Sequence, residues 1–80
     1  MSAAKPEIES EIARLEQLAE AAYTQMYDAP RHGARDCYED ASSFLAQAIA
    51  LATHNGLTAT AERLKARKEH IYNVYTHQFR

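Results

Sequence analysis

The 80 residues contain only two glycines, two prolines, one cysteine and no tryptophan, and each scarcity removes a class of structure. Few chain breakers mean few turns, which points to long helices rather than to many short strands. Both prolines and both glycines fall where helices would begin or end. A single thiol, Cys37, makes no intramolecular disulfide, and one cysteine with scattered histidines does not supply the four ligands of a structural zinc. Large apolar side chains are also scarce: sixteen alanines stand against fifteen Ile, Leu, Val, Met and Phe residues together. A chain this short buries only about 60% of its unfolded surface, so the core is thin, a second domain does not fit, and help from self-association is an expectation from the start.

Charge of either sign is not in large excess, the formal net value being −2, which argues against a protein whose main partner is a nucleic-acid backbone. Long hydrophobic runs are missing as well. Residues Met1–Glu7 contain no apolar stretch and read as neither secretory signal nor anchor. The longest uncharged stretch, from Ala41 up to Glu62, is interrupted by Gln47, His54, Asn55 and Gly56, so no membrane span is expected. These features together give the expectation of a soluble cytoplasmic protein.

Three amphipathic segments account for what is present. In the first, Ile8, Ile12, Leu15, Ala19, Ala22 and Met26 recur at alternating steps of four and three, with Leu18 beside them, which predicts a helix over about 6–28. Residues 1–5 are expected to be disordered. Pro6 suits a first turn, Glu7 and Glu9 suit the positive dipole end, and Pro30 disfavours helical geometry at Ala29, so that Ala29–Gly33 form a short turn. A second helix is predicted over about 35–55. Asp36 and Glu39 have the spacing of a capping box, and Cys37, Ala41, Phe44, Ala48 and Leu51 make an inward stripe. From Phe44 to Ala52 only Gln47 is polar, so this helix must be covered on more than one side by sister helices or by another chain. Asn55-Gly56 stops it, with Gly56 suited to the left-handed C′ position and Leu57 folding back on Leu51 or Ala52. The third helix, about 58–78, opens at Thr58 or Thr60 as N-cap and carries Ala61, Leu64, Ile71, Val74, Tyr75 and Phe79. Its seam meets Arg67 or Lys68 between Leu64 and Ile71, where a basic stem must cross the core edge and send its charge outward or to a carboxylate. Connections of about five and three residues make neighbours antiparallel, hence one domain over 1–80: an all-α, up-down-up three-helix bundle.

Candidate sites follow from charge, nucleophiles and aromatics in turn. Residues 1–28 carry a net charge of −4, 29–56 of −1 and 57–80 of +3. Arg63, Arg67, His70 and His77 form one stripe, and with Lys65 and Lys68 they are the residues of an alternative reading, a nucleic-acid or anionic-surface binder. Glu9, Glu16 and Glu20 make a matching acidic stripe on the first helix, so pairing within the chain or across a dimer explains the asymmetry more simply. His70 and His77, seven residues apart, lack the spacing of helical chelation, and His54 is placed to meet the negative end of its helix dipole. Cys37 has His32 and Arg35 near it, but Asp36, Glu39 and Asp40 oppose a thiolate, and its stripe makes it a small core residue. Paired catalytic carboxylates, phosphate loops and nucleophile elbows do not occur, so no enzyme, no cofactor and no metal is expected.

Topology adds one feature that no local motif shows. The end of helix one, the start of helix two and the end of helix three meet at the same pole, and all five tyrosines lie in those stretches. The candidate interaction surface is therefore Tyr23, Tyr27, Arg31, Arg35, Tyr38, Tyr72, Tyr75 and Phe79, with Tyr27, Tyr38 and Tyr75 as anchors. The expected function is non-enzymatic: protein–protein contacts, as an adaptor or a self-associating, homo-oligomeric bundle. A small molecule or metal held at the Tyr/His pole is the further alternative.

Overall fold

The computed structural model describes residues 4–28 and 33–79. Three α-helices make up almost all of it: α1, Ala4–Asp28; α2, Ala34–His54; and α3, Thr58–Val74, which runs on without a break into a π-helical turn, Tyr75–Phe79. No strand occurs among the described residues, and the chain is an all-α three-helix bundle. Residues 1–3, most of the expected 29–33 turn with Arg31 and His32, and Arg80 lie outside the described residues.

Helix α1 begins at Ala4, two residues before the expected start. Pro6 is its third residue. The amides of a first turn have no intrahelical carbonyl to bond, so a proline two positions in removes nothing. Helix α2 begins at Ala34 after Gly33, with no side-chain cap. The Asp36–Glu39 capping box is therefore not formed: Asp36 is already inside the first turn, and Glu39 accepts a bond from Arg35 Nε at 3.1 Å.

At the other end of α2 the predicted stop is present. The Leu57 amide donates to the Ala52 carbonyl at 2.8 Å and the Gly56 amide to Thr53 at 3.1 Å, the paired bonds of a Schellman motif. Gly56 has φ +74°, a conformation that a Cβ penalises. The Asn55 side chain adds a bond to the Leu51 carbonyl at 2.8 Å. This motif leaves Leu57 as the residue preceding α3, its carbonyl accepting from the Ala61 amide at 2.9 Å. Thr58 and Thr60 are thus inside α3, and neither is its N-cap.

Pairing along the helices confirms the up-down-up path. Between α1 and α3 the partners are Glu16 with Arg63, Glu20 with Arg67 and Tyr27 with Phe79, numbers rising together as in parallel helices. The three-residue link Asn55–Leu57 makes α2 and α3 antiparallel. The backbone of α2 packs closely on both α1 and α3, whereas α1 and α3 meet through long side chains.

The core consists of Ile12, Leu15, Ala19, Ala22 and Met26 from α1, Ala34, Ala41, Leu45, Ala48 and Ala52 from α2, and Ala61, Leu64 and Ile71 from α3. Seven of these thirteen are alanine, which lets the axes approach closely but leaves Met26, Leu45, Leu64 and Ile71 as the largest fully enclosed side chains. The α1 stripe is the expected one from Ile12 to Met26, Ile8 being only partly buried. On α2 the expected stripe is rotated. Leu45 and Ala52 are at the centre, while Cys37, Phe44 and Leu51 are half-buried at its edge. The reason is that α2 serves two neighbours, so its buried arc is centred between them rather than on either one.

Candidate functional site

The five tyrosines do gather toward one end of the bundle, but α3 divides them into two clusters. On the side facing α1, the Tyr23 and Tyr27 hydroxyls are 3.1 Å apart and their rings meet edge-to-face at 5.5 Å. Tyr27 continues to Phe79 at 5.1 Å, and Tyr23 to the His70 ring at 6.4 Å. The Arg67 guanidinium lies 5.0 Å above the Tyr23 ring, within the range of a cation–π contact. The hydroxyl bond to Tyr27, helped by partial burial, pushes the Tyr23 phenol above its ordinary value.

On the side facing α2, Tyr38 stacks on Tyr75 with centroids 4.4 Å apart and planes 9° from parallel, and touches Tyr72 at 6.2 Å. Within the π-helical turn, Tyr75 reaches α2 and Phe79 reaches α1. Side chains of that turn also hold one carbonyl near the end of α3: Thr76 donates to Asn73 O at 3.1 Å and His77 Nδ1 lies 2.7 Å from the same oxygen. His77 is therefore turned along its own helix.

The basic stripe is largely engaged within the chain. Arg63 donates to both carboxylate oxygens of Glu16, at 2.6 and 3.1 Å, and Arg67 to both of Glu20, at 2.7 Å each. Arg67 is the basic stem that the seam requires, half-buried with its charge sent to a carboxylate. Its hydrogen bonds hold the Glu20 carboxyl below the usual carboxylate range, against the opposing effect of partial burial. A carboxylate whose folded value is lowered contributes stability above its unfolded value, near 4.3, and loses that contribution as pH falls through the folded value. Thermal melts at stepped pH are therefore expected to show the wild-type midpoint falling more steeply below about pH 4 than that of a Glu20→Gln variant. Parallel curves would mean that the pair contributes nothing.

Beside the second tyrosine cluster lies a feature that the sequence does not reveal directly. An open groove of about 550 Å³ runs between α2 and α3, lined by Ala46, Ile49 and Ala50 from α2, by Lys65, Lys68 and Glu69 from α3, and by Tyr38 and Tyr72 at one end. A smaller hollow of about 420 Å³ continues past Tyr38 and Tyr72 to Arg35, Tyr75 and Thr76. Tyr72 and Tyr27 are about half exposed, at 48% and 51%. The structure thus brings Arg35, Tyr38, Tyr72 and Tyr75 together, and places Tyr23, Tyr27 and Phe79 around the far side of α3. The nearly all-apolar stretch of α2 is the signal that pointed here, since Ala46 and Ala50 are the part of it that no sister helix covers.

Among the described residues no three His, Cys, Asp or Glu side chains converge as a metal site requires, and no helix is long and apolar enough to cross a membrane. No protein-family model, no curated protein and no solved structure matches the chain.

Proposed function

We propose that this is a non-enzymatic helical protein that acts through protein–protein contacts, and that its contact surface is the α2/α3 face. The observation that carries this reading is the groove over Ala46, Ile49 and Ala50 together with the tyrosines at its end. Small side chains on the floor let a partner backbone approach, and an apolar groove of this kind is suited to the apolar stripe of another helix. Tyr38 and Tyr72 offer apolar rings with wet tips, the composition of surfaces that alternate between covered and free states. The neutralisation of Arg63 and Arg67 by α1 carboxylates weighs against the anionic-surface reading, because it removes two of the four α3 cations from the supply available to phosphates.

A photoreactive residue placed at Ala46 tests the surface in cells that express the protein. Discrete adducts are expected, and Tyr72→Ala, at a half-exposed position, is expected to weaken their formation by about 1–2 kcal/mol or more. Absence of adducts, or adducts untouched by Tyr72→Ala with the helical circular dichroism intact, would overturn the reading.

A further inference from the structure

The occupant of the groove can be argued from the charges and lengths of the molecule's own elements, on the reading that the groove is a contact surface. We infer that it receives α1 of a second copy of this chain. Charge is the first ground. Residues 1–28 carry −4, and among the described residues α3 pairs with two α1 carboxylates, Glu16 and Glu20, using both its arginines. Its lysines, Lys65 and Lys68, stand along the groove beside Glu69, with Lys65 Nζ 3.3 Å from Glu62. Lys65, Lys68 and Glu69 leave the groove lining one positive charge in excess, so acid on the outer surface of α1 set against Lys68 repeats between copies the pairing that already joins α1 to α3 inside one copy.

The second ground is an apolar residue in the right place. Leu18 is 36% exposed, the one large aliphatic side chain so exposed among the described residues. Glu7, Glu11 and Leu18 follow at steps of four and seven, so they share one face of α1, with Glu11 at its edge toward α2, beside Ala50 and Leu51. Length is the third ground. From Glu7 to Leu18 the helix rises about 17 Å, and from Tyr38 to Ala50 the groove runs about 18 Å. With Leu18 seated on Ala46, Ile49 and Ala50, Glu11 lies about 10 Å further along, within side-chain reach of Lys68, and Glu7 lies about 17 Å along, at the tyrosine end; Glu11 exchanges its own-helix partner Arg14.

The α1 face and the groove are different patches, so the contact is heterologous: each copy offers one of each. A single helix in one groove is a small interface, which makes the association weak and concentration-dependent. It is also flanked by exposed charges, which makes it sensitive to salt.

Sedimentation of the purified protein over the micromolar to millimolar range tests this. The wild-type average mass is expected to rise above 9.0 kDa with concentration, and to fall back when salt is added. Leu18→Glu and Ala46→Glu, both at exposed positions, are each expected to remain monomeric when alone. Mixed in equal amounts they are expected to form a species of twice 9.0 kDa, because one variant keeps its groove and the other keeps its α1 face. A wild type that stays monomeric throughout, or association that Leu18→Glu leaves intact, overturns the inference. If the wild type is monomeric while Ala46 still captures a different protein in a Tyr72-dependent way, the second copy is the wrong occupant and the contact surface stands. If Ala46 captures nothing, both fall.

Discussion

Leu64→Ala is expected to lower the unfolding free energy by about 2–5 kcal/mol, the range for truncating an enclosed leucine. Leu64 is fully enclosed, one of four large side chains in that state among the described residues. With so few, the surrounding alanines have little reach to collapse into the space left behind, which favours the upper part of the range. Small domains have roughly 5–15 kcal/mol in total, so this one truncation removes a large share. Urea titration followed by circular dichroism measures it. Leu18→Ala, on the exposed face of α1, is the comparison: in dilute protein it should change stability by no more than about 0.5 kcal/mol. Similar losses for the two leucines would contradict the assignment of Leu64 to the core.

Ala48→Leu is expected to destabilise by about 1–3 kcal/mol, through crowding rather than loss. Ala48 has no exposed surface and lies at the centre of the buried arc of α2. Helix axes 8–10 Å apart depend on small side chains at such contacts, and three added carbons there force α2 away from a neighbour or push side chains off their rotamers. On intrinsic helix propensity alone leucine is nearly as good as alanine, so the loss reports packing. Ala50→Leu supplies the contrast. It lies two residues along the same helix but opens onto the groove, and its effect should stay within about 0.5 kcal/mol. Equal responses at 48 and 50 would mean that α2 is not held between α1 and α3 as described.

The ion pairs between α1 and α3 are of lesser weight for stability. Their side chains are partly exposed, Arg67 at 35% and Glu20 at 46%, and pairs in such settings contribute about 0–1 kcal/mol each. They set which face of α3 turns toward α1, and so which face is left for the groove.

The α1 seam, the Asn55-Gly56 stop and the up-down-up order were all legible in the sequence, because each rests on local chemistry: helical periodicity, a left-handed glycine and short links. The helix starts were less legible. Asp36, Thr58 and Thr60 all have the chemistry of caps, yet the Schellman turn and the early start of α2 put them inside their helices. The gathering of tyrosines at one pole follows from topology. Their division into two clusters does not, because it depends on α3 turning Arg63 and Arg67 toward α1 and on Tyr75 and Phe79 meeting different neighbours.

By itself, then, the amino-acid sequence determined that this protein is helical, where its main turn lies, and that α2 carries more apolar surface than one neighbour can cover. Only the tertiary structure decided which part of that surface stays open. Ala46, Ala48 and Ala50 are the same residue at alternate positions of one helix, yet one is enclosed and two face the groove. A helix presents every direction around its axis, and the choice among them is made by the neighbours packed against it rather than by the residues themselves.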